Sequence, residues 1–143
     1  MPFEPVHARP FVDGNYVRYT RVPKGYQLRL LIWWRDVEQI GLVEGDACRW
    51  YIDKAEKAVA FCHDPEGNYG TMLRKQSPGS RNRKNHGPNP RAEIVIPAGI
   101  AAMLMSWADM GAHRKRYQAI TTIDREAKRI EFRLGEYIAN GTK

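Results

Sequence analysis

Apolar and polar residues alternate along most of the chain, and the spacing turns helical in only two places. Over residues 15–22, Tyr16, Arg18 and Thr20 interleave with Val17, Tyr19 and Arg21. That β-branched and aromatic pattern predicts a strand, and Pro23-Lys24-Gly25 predicts the turn that ends it. A Leu- and Ile-rich run over 26–32 predicts a second strand. From Trp33 the period lengthens, with Trp33, Val37 and Ile40 on one helical face. Gly41 follows where a glycine past the last turn adopts the left-handed conformation. Glu44-Gly45-Asp46 predicts a tight turn, and residues 47–52 and 58–63 predict a hairpin around Lys54-Ala55-Glu56. Turn residues fill 64–68, a short strand is expected over 69–74, and Ser, Gly, Asn and Pro crowd 76–90 as a mobile linker. Beyond it lie a strand over 92–96 and a helix over 99–110, opened by Pro97 where a missing N–H costs nothing. A last hairpin follows, from 115–123 and 129–134.

Strand, short helix and hairpin therefore occur twice, and the wording recurs with them. Ile52-Asp53-Lys54-Ala55-Glu56-Lys57-Ala58-Val59-Ala60-Phe61 returns 71 residues later as Ile123-Asp124-Arg125-Glu126-Ala127-Lys128-Arg129-Ile130-Glu131-Phe132. Leu30-Leu31-Ile32 returns as Ile94-Val95-Ile96 at an offset of 64. A unit this small is half a core, so two such halves are expected to pack as a pseudo-dimer. The competing explanation is two unrelated hairpins that share a turn grammar. The expected fold is mainly β (α+β): a pseudo-two-fold β-barrel of two strand–short helix–hairpin units in one compact duplicated domain. Its expected divisions are an arm at 1–14, a first unit at 15–74, a basic linker at 75–91, a second unit at 92–134 and a tail at 135–143. The shared core is expected to hold Ile32, Ile40, Leu42, Ile52, Val59 and Phe61 with Ile94, Ile96, Leu104, Ile123, Ile130 and Phe132.

Charge sharpens this picture. The chain has 143 residues and a net charge of +7, but the excess is concentrated. Between Glu66 and Glu93 no acidic residue occurs, while Arg74, Lys75, Arg81, Arg83, Lys84 and Arg91 all do. Without that stretch the chain is close to neutral. Concentrated positive charge is the footprint of a polyanion site, and the plainer alternative is a solubilising loop. No apolar run approaches the roughly 18 residues of a membrane span, so no membrane association is expected. Three prolines in the first ten residues argue against a signal peptide. With only Cys48 and Cys62 as cysteines, a cytoplasmic location is expected.

Catalytic chemistry finds little support. Cys62-His63-Asp64 resembles part of a ligand or nucleophile set, but zinc needs about four N or S ligands and only Cys48 and His86 stand beside it. At the matching places of the second repeat the chain has Ala119 and Arg133. No glycine-rich phosphate loop, HExxH or GxSxG appears. The expectation is a non-enzyme with no catalytic residue, metal or cofactor. His113-Arg114-Lys115-Arg116 forms a second basic cluster, either a phosphate contact or a solvated strand edge. In Trp33-Trp34 one ring is expected inside and the other partly exposed.

Trp33, then Ile40-Gly41-Leu42, Gly45-Asp46 and an apolar hairpin, resembles the AbrB and MazE group of swapped-hairpin proteins. Lys24-Gly25 precedes the strand as in that group, and Ile32-Trp33 stands where its Ile-Pro falls; the second unit keeps Ile96-Pro97 but offers Leu104, Asp109 and Gly111 for the rest. The resemblance covers roughly 24–61 and, more weakly, 91–134. It implies a transcription regulator that contacts double-stranded DNA through bases ahead of the first strand of each unit. Those are Arg18, Arg21 and Lys24 in the first copy and Arg81, Arg83, Lys84 and Arg91 in the second, with Arg74 and Lys75 in the same acid-free stretch. The bases that such helices often carry four places after the Pro are replaced by Val37 and Ala101. It implies a pseudo-dimer within one chain, with further homodimerisation open. The alternative on the same fold is a protein-interaction module, antitoxin-like or inhibitory, that neutralises a partner protein.

Overall fold

Alternation makes strands of β1 (Tyr16–Val22) and β2 (Gly25–Trp33), which pair antiparallel from Tyr16↔Leu31 to Val22↔Gly25. The computed structural model describes residues 14–67, 71–75, 90–108, 110 and 116–138. The expected arm (save Gly14), the linker bases Arg81, Arg83 and Lys84, and residues 139–143 of the expected tail lie outside the described residues. Helical spacing yields α1 (Trp34–Glu38), shorter than the expected 33–40 because the turn tightens as Ile40 N–H bonds to the Val37 carbonyl at 3.2 Å. Gly41 follows at φ 82°, as expected of the residue past a helix end. The second helix, α2 (Ala98–Ala108), starts directly after Pro97.

The repeated wording folds as two hairpins. β3 (Ala47–Asp53) with β4 (Ala58–His63), and β8 (Arg116–Asp124) with β9 (Arg129–Tyr137), turn in the same way. An Asp oxygen accepts the N–H three residues on: Asp53 from Glu56 at 3.1 Å, and Asp124 from Ala127 at 3.0 Å. A left-handed lysine then closes each loop, Lys57 at φ 52° and Lys128 at φ 55°. Ile52 pairs with Val59 and Trp50 with Phe61, while Ile123 pairs with Ile130 and Thr121 with Phe132.

All strands among the described residues join one antiparallel sheet in the order β5-β3-β4-β9-β8-β1-β2-β7-β6. Here β5 is Thr71–Met72, β6 is Arg74–Lys75 and β7 is Arg91–Val95. β5 pairs with β3 and β6 with β7, and only Leu73 separates them. The two ends of the sheet thus meet on residues 71–75, and the sheet curls around its apolar face. Leu73 is fully buried there; its N–H donates to the Asp46 carbonyl and its carbonyl accepts the Gly45 N–H, both at 2.9 Å.

The mainly β expectation holds, and most of the expected core is found in one buried cluster. Ile32, Ile40, Leu42, Val59, Phe61, Ile94, Ile96, Leu104, Ile130 and Phe132 lie in it, together with Val17, Leu28, Leu30 and Leu73. Ile52 and Ile123 differ, since they pack against the cluster only partly buried. Both sit next to a hairpin turn, where the paired strands run out past the core. No helix among the described residues is long and apolar enough to cross a membrane.

Candidate nucleic-acid interface

Side chains alternate across a strand, so the polar partners of the core residues cover the outer face of the sheet. On β1, Val17 enters the main core, whereas Tyr16 joins Leu31 and Ile138 in a second cluster on the other side. Arg18 shares the parity of Tyr16, and Arg29 that of Leu31. The register sets Arg18 directly opposite Arg29 on β2 and directly opposite Arg116 on β8. Three arginines therefore stand in one row across three adjacent strands. Directly opposed residues have their Cβ atoms about 5 Å apart, and like charges in such pairs are destabilising.

One carboxylate interrupts this field. Glu93 on β7 pairs in register with both Leu31 and Arg74, and its Oε2 makes an ion pair with the Arg29 guanidinium. The Nε of Arg18 reaches the Thr20 hydroxyl at 3.4 Å, and the Arg29 guanidinium also donates to Gln27 Oε1 at 3.1–3.2 Å. Arg21 and Lys24 extend the positive surface along the exposed tip of the β1–β2 hairpin.

Arg91 lies elsewhere than a phosphate contact would. It is 1% exposed, with its guanidinium 4.3 Å from the centre of the Trp33 ring and 5.0 Å from that of Tyr16. Arg35 lies 5.7 Å from the Trp33 ring, and Arg116 lies 5.7 Å from the Tyr16 ring. Cations and aromatic rings thus alternate from Arg35 to Arg116, each contact contributing about 0.5–2 kcal/mol. The Tyr16 phenol is pushed above its ordinary pKa by burial, which outweighs the opposing pull of Arg91, Arg116 and Arg18. The ladder braces the Arg116 end of the arginine row, and it removes Arg91 from the accessible surface.

The remaining bases separate. Arg74 is exposed on β6 opposite Glu93. Lys75 lays its ammonium 5.0 Å from the Trp34 ring, and its N–H donates to Glu44 Oε2 at 3.1 Å. Trp34 is buried and Trp33 half-buried, as the corner position predicts. Nothing in the sequence singles out Arg29, which sits alone in a Leu-rich strand. In the sequence Arg116 stands only within the local basic cluster His113-Arg114-Lys115-Arg116. Their alignment with Arg18 depends on β1 lying between β2 and β8, and one strand's pattern carries no record of its neighbours.

The Cys62-His63-Asp64 stretch ends β4 and enters the turn after it. Cys48 pairs with His63 and Arg49 with Cys62, so Cys48 and Cys62 point to opposite faces of the sheet. Burial pushes the Cys48 thiol up to about 12, with the Asp46 carboxylate adding to the effect. Asp64, 2% exposed, accepts from Arg49 Nη2 and from the Glu66 N–H, both at 3.1 Å, which fastens the turn after β4. Among the described residues no group of three His, Cys, Asp or Glu side chains is placed to hold a metal ion. No protein-family model, curated protein or solved structure matches the chain.

Proposed function

We propose that this protein is a regulator that binds duplex DNA across the outer face of β8, β1 and β2, and that its chain is an internal pseudo-dimer of AbrB-like units. The observation that carries the binding reading is the row Arg116–Arg18–Arg29. Like charges set directly opposite each other are destabilising, and a bound polyanion turns that cost into attraction. Arg21, Lys24 and the bases of residues 76–89 add charge that is indifferent to sequence, as contacts to phosphates are.

The duplication is supported by register. All six pairs of β3 with β4 recur, shifted by 71, between β8 and β9. A shared turn grammar would account for that much. It would not account for the pairings between units. In β4–β9, exchanging the copies turns Val59↔Phe132 into Phe61↔Ile130 and leaves Ala60↔Glu131 unchanged. In β2–β7, at an offset of 64, Leu30↔Ile94 maps onto itself and Arg29↔Val95 onto Leu31↔Glu93. On this reading β5, Leu73 and β6 are the second copy of β1, so the second unit begins near residue 71 rather than 92. The partner of Arg18 is then Arg74.

Titration of the full chain with a fluorescent duplex at two salt concentrations tests the binding. If about six phosphates are neutralised, raising salt from 50 to 200 mM weakens binding roughly a thousandfold. Arg18→Ala with Arg116→Ala lowers the salt slope by about two. Absence of salt-dependent duplex binding at micromolar protein overturns this reading in favour of the protein-interaction alternative. That alternative would fall on α2, which carries no charged residue and exposes Ala98, Gly99, Ala102 and Ser106.

A further inference from the structure

Resting on that reading, we propose that the DNA-binding face is one-sided, so that a single chain takes an asymmetric, non-palindromic duplex site. An internal dimer made of identical halves would present the same charges twice about its dyad. Here the skeleton repeats and the charges do not. Arg18 of the first half has Arg74 as its counterpart, and both lie on the outer face. Arg29, opposite Arg18, has as its counterpart Glu93, opposite Arg74. Arg116, on the other side of Arg18, has as its counterpart Gly45, whose neighbour Glu44 accepts the Lys75 N–H.

One half thus reads arginine, arginine, arginine across three strands, while the other reads glycine, arginine, glutamate. A phosphate approaching Arg18 is attracted also by Arg116, while the Arg29 charge beside it is balanced by Glu93. A phosphate approaching Arg74 finds no second base beside it, only Gly45 on one side and, directly opposite, the Glu93 carboxylate that Arg29 already neutralises. The Arg29–Glu93 ion pair crosses the dyad position itself, at the Leu30↔Ile94 pair, and fixes this inequality into the fold. Two-fold DNA sites mirror two-fold proteins because each half reads the same bases, and a face with one competent half has no use for the mirror copy.

The test compares counterpart positions in the full chain. Arg18→Ala and Arg74→Ala are titrated with one duplex of about 20 base pairs over a range of salt, with thermal melting to show that each variant folds. Arg18→Ala is expected to flatten the salt slope by about one and to weaken binding on the order of tenfold at 50 mM salt. Arg74→Ala is expected to change the slope by less than half as much, and Arg18→Lys to restore most of the loss. Selection from a random duplex library should return a motif without two-fold symmetry. Equal losses at Arg18 and Arg74, or a palindromic motif, overturn the one-sided face while leaving DNA binding intact. A wild-type chain that binds no duplex overturns the functional reading beneath it.

Discussion

At the scale of single residues, the same chemistry takes different work according to what surrounds it. Arg18 and Arg91 share the outer face of the sheet, yet one joins a half-buried row and the other is buried between two rings. Arg91→Ala should therefore destabilise the fold by about 2–4 kcal/mol in denaturant melts, through lost packing of a fully buried side chain, and leave the salt slope of binding unchanged. The cysteines divide likewise. With its folded pKa raised from 9.0 to about 12, Cys48 stays protonated in the native chain while an unfolded thiol ionises. Its contribution is thus complete below pH 9 and is lost as pH rises toward 12. Melting temperature should fall across that window more steeply in the wild type than in Cys48→Ala. At pH 8 an alkylating reagent should label Cys62 well before Cys48, as read by mass spectrometry.

Elements show where local wording ends and packing begins. Asp53 and Asp124 shape their turns through one hydrogen bond each, and Lys57 and Lys128 accept a backbone conformation that glycine takes at less cost. Lys57→Gly and Lys128→Gly should each stabilise the chain by about 0.5–1 kcal/mol, by similar amounts, in chemical denaturation. Beyond the turns, Phe61 and Phe132 reach the same core from neighbouring strands. Truncation of either to Ala should cost about 3–5 kcal/mol. Leu73 has the least sequence support and a large structural share. Leu73→Ala should cost about 2–5 kcal/mol and loosen both sheet ends together, visible as faster amide exchange at Gly45 and in β7.

For the whole molecule, the sheet separates an apolar interior from an outer face whose charge is uneven, and the proposed function depends on that unevenness. Replacing Arg81, Arg83 and Lys84 together with Ala should flatten the salt dependence of duplex binding by up to about three and lower affinity uniformly across sequences. Melting temperature should stay within a few degrees of the wild type. A different pattern is expected for the row on β8, β1 and β2, where loss of Arg18 should also change which duplexes are preferred. The two variants separate general attraction from oriented docking in a single set of titrations.

Much of this was present in the linear pattern. Alternation gave the strands, spacing gave the two helices, Asp and Lys at fixed distances gave the turns, and the apolar positions named most of the core. These are local properties, set by backbone geometry and by the burial each residue favours. The resemblance to swapped-hairpin regulators came from the same local wording. What the tertiary structure alone decided was adjacency. It set β1 between β2 and β8, which lined up Arg29, Arg18 and Arg116, and it made Leu73 the joint of the two sheet ends. It also drew Arg91 out of the expected basic surface and into a ring stack, and turned Cys48 and Cys62 to opposite faces. Register between strands far apart in the chain follows from how the whole core closes, and no stretch of sequence contains that information by itself.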